Sequence, residues 1–110
     1  MSTTSEPPYL YLTTTGRNTG KPHEIEIWFV AYESNYSLTS GGKDHSDWVR
    51  NLLADPAISL RVGSRAAPAI NGRARVLDNG TDAALVKAVQ ALMRHKYNWS
   101  DGFIVELRPA

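Results

Sequence analysis

The chain has 110 residues, 12 Lys plus Arg against 11 Asp plus Glu, 42% hydrophobic residues and no cysteine. That length suits one domain, since domains usually run to about 100–150 residues. The missing cysteine excludes a disulfide framework, a thiolate nucleophile and any Cys-based zinc or iron–sulfur site. A net charge of +1 does not supply the clustered basic face expected of a nucleic-acid binder. The charge is uneven all the same: residues 1–50 hold four basic and six acidic side chains, and residues 51–110 hold eight and five. No apolar run approaches the roughly 20 residues that span a bilayer, and the start lacks both a basic and an apolar leader region. The expectation is a cytoplasmic protein without an integral membrane segment.

Residues 1–8 are polar and end in Pro7-Pro8, which cannot donate to a sheet ladder. They read as a flexible tail ahead of a single domain over 9–110. Tyr9–Thr15 is aromatic or β-branched at nearly every position, the composition of a strand, and it stops at the turn Gly16-Arg-Asn-Thr-Gly-Lys-Pro22. His23–Tyr32 alternates, with Ile25, Ile27 and Phe29 on one face and Glu24, Glu26 and Trp28 on the other, which predicts one continuous strand. Glu33-Ser-Asn35 then turns the chain into a third strand, Tyr36–Ser40.

Gly41-Gly-Lys-Asp-His-Ser46 is a second loop. Ser46 is placed as the N-cap of a short helix, with Trp48, Val49, Leu52 and Leu53 at helical spacing before Pro56 ends it. Ala57–Gly63 and Ala67–Leu77 are the next strands, the latter with a bend or bulge expected at Asn71-Gly72. Thr81 is placed as the cap of a second helix reaching about His95, striped by Leu85, Val89, Leu92 and Met93. Phe103–Leu107 is the last strand. The order β-β-β-α-β-β-α-β, mainly β with two helices, predicts a small closed or partly closed barrel, because closure removes the edges that a flat sheet would expose.

Two loops combine glycines, hydroxyls and basic side chains where strands end: Thr13–Pro22 with Arg17 and Lys21, and Ser40–Leu53 with Lys43. Glycine lets backbone approach a bound group, and a helix start favours anions. These are the ingredients of a phosphate site, although each stretch alone also reads as an ordinary turn. No Gly-x-Ser-x-Gly, Walker or dinucleotide fingerprint appears, and His23, His45 and His95 lack metal-ligand spacing. Arg61, Arg65, Arg73 and Arg75 form a basic cluster open to two readings, a patch receiving an anion or a solvated hairpin face.

Leu12-Thr-Thr-Thr-Gly-Arg-x-Thr-Gly-Lys-Pro22, followed in order by Ser40-Gly-Gly-Lys, Ser46-Asp-Trp48 and Arg50-Asn-Leu-Leu-Ala-Asp-Pro56, resembles the two signatures of the deazaflavin-dependent nitroreductase and quinone reductase family. The resemblance covers about Leu10 to Leu107. It implies a split β-barrel of the flavin-reductase or FMN-binding type. Such a barrel binds the 8-hydroxy-5-deazaflavin coenzyme (coenzyme F-420), with FMN as the alternative in the same fold. It further implies hydride transfer to a quinone, a nitro compound or an activated double bond. Carried over by position, the cofactor-binding residues are Arg17, Thr19, Gly20 and Lys21 in the first loop. In the second loop and helix start they are Ser40, Gly41, Gly42, Lys43, Ser46, Asp47 and Trp48. Asn18 stands where the family usually has Lys. Tyr97, near Trp99 in the loop before the last strand, falls over the ring as a proton donor or, on the plainer reading, caps the barrel mouth. The implied partners are a small hydrophobic acceptor and a second copy of the chain in a homodimer. The competing reading is a non-catalytic split barrel that binds a flavin or a lipid.

Overall fold

The β-branched and aromatic run Tyr9–Thr15 forms strand β1 in a computed structural model that describes residues 7–42, 45–99 and 102–110. Residues 1–6, most of the expected tail, lie outside the described residues. β1 pairs along its whole length with β2 (Pro22–Trp28), antiparallel, from Tyr9 opposite Trp28 to Thr15 opposite Pro22. The chain continues through β3 (Val30–Tyr32), β4 (Asn35–Ser40), helix α1 (Asp47–Ala54), β5 (Ala57–Val62), β6 (Ile70–Val76), helix α2 (Ala83–Tyr97) and β7 (Phe103–Pro109). All seven strands make one antiparallel sheet in the order β2-β1-β5-β6-β7-β4-β3. β3 covers β4 only over Asn35–Ser37. The rest of that β4 edge meets β2 across an open seam, where the two ends of the sheet curl into contact. This is the split β-barrel implied by the resemblance.

The expected strand His23–Tyr32 is divided, which gives seven strands where six were expected. Alternation runs on through Phe29, but its peptide groups have no sheet partner to bond. The Phe29 N–H donates to the Tyr97 hydroxyl oxygen at 3.0 Å, and the Phe29 carbonyl accepts from Lys96 Nζ at 2.9 Å and lies 2.6 Å from the Tyr97 hydroxyl. Tertiary bonds from α2 outweigh the local strand pattern. The hairpin from β3 to β4 turns on Glu33 and Ser34, both at positive φ (50° and 71°), the backbone that a two-residue turn needs to match strand twist.

The other local differences have equally plain causes. No bulge occurs at Asn71-Gly72, and the register on both sides of β6 is unbroken. Gly72 is required because the β7 backbone passes so close that a Cβ would collide with the Arg108 carbonyl. Ser46 stands at the N-cap of α1 but makes no side-chain cap bond. Asp82, not Thr81, is the N-cap of α2, because Asp78 Oδ1 takes the N–H groups of Gly80 and Thr81. Helix α2 runs two residues past His95 and stops at Asn98 in the left-handed region. Leu53 turns outward, 60% exposed, while Val49, Asn51 and Leu52 turn in.

Two apolar clusters hold these layers. Leu10, Leu12, Phe29, Leu38, Leu52, Leu60, Val105 and Leu107 fill the barrel, and Val86, Val89 and Met93 of α2 pack on Val30, Leu77 and Ile104. The buried Glu106 of β7 binds Arg75 and Arg108, each at 3.1 Å, and Arg75 also reaches Asp82 of the α2 cap. No described helix is long and apolar enough to cross a membrane.

On β1 the Tyr11 hydroxyl donates to Glu26 of β2 at 2.9 Å. That bond to a carboxylate, with burial, pushes the phenol up to about 12. A raised folded-state value means that the bond's stabilisation is whole below the ordinary tyrosine value near 10 and is lost as pH rises toward 12. Denaturant midpoints of wild type and Tyr11→Phe, compared from pH 9 to pH 12, should show the wild-type advantage shrinking across that window. A constant difference would contradict it.

Candidate functional site

The turn between β1 and β2 is a closed backbone unit. Gly16 N–H donates to the Lys21 carbonyl and Gly20 N–H to the Gly16 carbonyl, both at 2.8 Å. Gly16 is buried, and a Cβ there would press into the His23 ring and Thr19 Oγ1 at under 3.0 Å, so any side chain would close the space beside the loop. Helix α1 anchors this turn through one buried amide. Asn51, 5% exposed, donates from Nδ2 to Thr14 Oγ1 (3.3 Å), while its Oδ1 accepts from both the backbone N–H (3.2 Å) and Nη1 (2.8 Å) of Arg17. The Arg17 guanidinium completes its contacts on Asp47, 3.2 Å from Nη2 to Oδ1.

A cavity of about 420 Å³ opens beside this arrangement. Four of the residues singled out from the sequence line it: Arg17, Thr19, Asp47 and Trp48. Gly20 and Lys21 belong to the same turn but not to the lining. Asn18 lines the cavity as an uncharged side chain. Ser40, Gly41, Gly42 and Ser46 come together in the second loop, where the Ser40 and Ser46 hydroxyls bond at 3.0 Å and Gly41 lies under the Trp99 ring. Lys43 lies outside the described residues.

A second cavity, of about 230 Å³, follows the first along β2 and sits at the seam. Its walls are Glu26, Ile27 and Trp28 of β2, Thr39 of β4, and Trp99. Trp28 is sandwiched: it stacks flat on Tyr97 (4.6 Å between centroids, 2° between planes) and meets Trp99 edge-on (6.2 Å, 73°). The structure thus places Tyr97 behind Trp28, with its hydroxyl on the Phe29 peptide and the Pro8 carbonyl. Lys96 beside it donates to the carbonyls of Pro7 and Phe29.

Sequence reasoning had Thr14 and Asn51 only inside the quoted loop and signature stretches and gave them no site role of their own, nor any to His23 and Glu24 in the first cavity or Thr39 in the second. The available signal for Asn51 was its place between Val49 and Leu52 on the inward face of α1. The basic cluster is mostly engaged within the fold: Arg61 donates to the Ala67 carbonyl, Arg65 pairs with Glu24 and lies over the Tyr11 ring, and Arg75 binds Glu106 and Asp82.

Asn51→Ala strips a buried partner from Thr14 and from Arg17. Losses of this kind cost about 1–3 kcal/mol, so urea denaturation should show a destabilisation in that range. A midpoint within error of wild type would mean that the turn holds Arg17 without help from α1.

Comparisons with known proteins bear on the same elements. Among curated proteins, none matches the chain. Solved structures share the fold. An F420-H2 dependent reductase aligns at 22% identity over 98% of this chain and 100% of that one, TM-score 0.66. The heme storage protein HutZ of Vibrio cholerae aligns at 18% over 96% and 83%, TM-score 0.75. An FAD-binding protein of Mesorhizobium loti aligns at 12% over 94% and 81%, TM-score 0.71. At these identities the likeness is one of fold. A sequence profile described as F420H(2)-dependent quinone reductase matches residues 2–100, which takes in both signature loops and the Asn51 helix. The chain belongs to the F420H(2)-dependent quinone reductase family.

Proposed function

We propose that this chain is a reductase that uses reduced coenzyme F-420 to deliver a hydride to an uncharged hydrophobic acceptor, a quinone, a nitro compound or an activated double bond. One observation carries the reading. An arginine fixed at backbone and side chain by a buried asparagine borders one cavity, and a second cavity, walled by tryptophan, lies further along β2. The residues fit the coenzyme's two chemical ends. Arg17 offers a phosphate charge-assisted hydrogen bonds from a preset position, and Trp48 gives a planar ring an apolar face in the same cavity. Gly41 and Gly42 let Trp99 and Ser46 lie close against the second loop's backbone.

When bound, the coenzyme supplies the hydride. The chain's residues hold, orient and exclude water. Arg17 and Thr19 would hold the phosphate side, with Gly20 and Lys21 shaping the turn that presents them. Ser40, Gly41, Gly42, Ser46, Asp47 and Trp48 would flank the ring side, and the resemblance adds Lys43 to them. Asp47 has a second task here, steadying the free guanidinium until an anion shares it. The acceptor occupies the second cavity, against Trp28 and Trp99. Tyr97 acts through Trp28: its hydroxyl is held by backbone groups, and its ring fixes the plane of the indole that faces the acceptor, which makes it a positioning residue. The same reading gives a cytoplasmic protein that pairs as a homodimer.

Titration with reduced coenzyme, followed by tryptophan quenching, should saturate in the micromolar range, and Arg17→Ala should weaken binding by about 1.5–3 kcal/mol. Unchanged affinity would move the site. A lipid or FMN retained after gentle purification, with no coenzyme-dependent turnover on quinones or nitroarenes, would replace this reading with the non-catalytic one. Light scattering should report a dimer, and a 12.1 kDa particle would contradict pairing.

A further inference from the structure

One side chain in the wall of the second cavity carries a polar group that its own chain leaves unsatisfied. Thr39 is 6% exposed, and its Oγ1 is the buried side-chain polar atom without a hydrogen-bond partner among the described residues. Comparable buried groups are paired: Thr14 Oγ1 receives Asn51, and Glu106 holds Arg75 and Arg108. A hydroxyl kept buried and unbonded lowers stability, and valine fills the same volume without that cost. A buried polar atom without a partner, carried by a side chain of the cavity wall, fits a hydrogen bond reserved for a ligand, made when the hydroxyl turns toward the cavity.

The other walls state what that ligand is. Trp28 and Trp99, set edge to face, and Ile27 favour a flat apolar body. No basic side chain lines this cavity, and Glu26 adds a carboxylate, which disfavours phosphates and acids there. What remains is an uncharged planar ring bearing a hydrogen-bond-accepting oxygen. We propose that Thr39 is a specificity-determining residue, its hydroxyl donating to the carbonyl or nitro oxygen of such a ring seated against Trp28 and Trp99. The proposal rests on the reading that the acceptor occupies this cavity. A site built around a hydrogen bond rejects the analogue that lacks the partner, because its polar group is then left unpaired.

Equilibrium dialysis without coenzyme tests it with two probes of similar shape, menadione and 2-methylnaphthalene. Wild type should prefer menadione. Thr39→Val should bind menadione about tenfold more weakly, equal to about 1.4 kcal/mol, with 2-methylnaphthalene unchanged, and Thr39→Ser should restore the preference. The valine variant should melt at or above the wild-type temperature, so the loss cannot be ascribed to misfolding. Equal menadione affinity in wild type and Thr39→Val, or equal weakening of both probes, overturns the assignment. Coenzyme titration of the same proteins separates the two readings. Intact coenzyme binding with no probe preference removes the role of Thr39 alone, whereas a clear preference with no coenzyme binding upholds Thr39 and removes the reductase.

Discussion

The peptide N–H and C=O of Phe29 bond to Tyr97 and Lys96 of helix α2 instead of to a neighbouring strand, and the architecture follows from that diversion. A strand continuing through Phe29 would carry its pairing forward and bring the sheet toward closure. Released there, the chain turns away, β3 pairs with only the first half of β4, and the second half of β4 is left to face β2. The seam, the cavity in it and the exposed face of Trp28 share this origin. The ring of Tyr97 and the ammonium of Lys96 enclose the break, Lys96 lying 4.2 Å from the Phe29 ring centroid, so a site of lost ladder bonds is well supported by other contacts.

This also explains which parts of the molecule were legible in the sequence. β1, β4, β5 and β7 announce themselves by composition, and the helices by spacing, with Pro56 closing the first. The break at Phe29 leaves no local trace, since alternation is intact and its partners lie 67 and 68 residues away. At the candidate site the glycines and basic residues of the two loops could be read, because their chemistry is unusual at strand ends. Thr39 could not, and Asn51 only through its place between Val49 and Leu52: inside a helix or a strand a polar residue looks the same whether it faces water or anchors a loop. Leu53 errs the other way, fitting the apolar stripe of α1 while the curve of the barrel leaves it outside.

Charge is distributed with similar economy. The excess of basic residues in the second half of the chain invites an anion, yet Arg65, Arg75 and Arg108 are engaged by Glu24, Glu106 and Asp82. Arg17 lies at the larger cavity and is itself shared with Asp47. An anion arriving there exchanges one carboxylate for another group of like charge, so binding draws on geometry and several weak contacts more than on net field. With Asn18 contributing no charge, the fixed direction of Arg17 matters all the more, and that direction is set by Asn51.

The two free edges of the sheet, β2 and β3, are successive stretches of one chain joined at a single residue. The opening between β2 and β4 is therefore a slot sealed at one end by a covalent fulcrum, with its width set by the angle at Phe29. Any strain that alters the grip of α2 on Phe29 is levered to the far end, where a small rotation becomes a larger change in gap. The gap is thus tied to a helix whose residues line neither cavity.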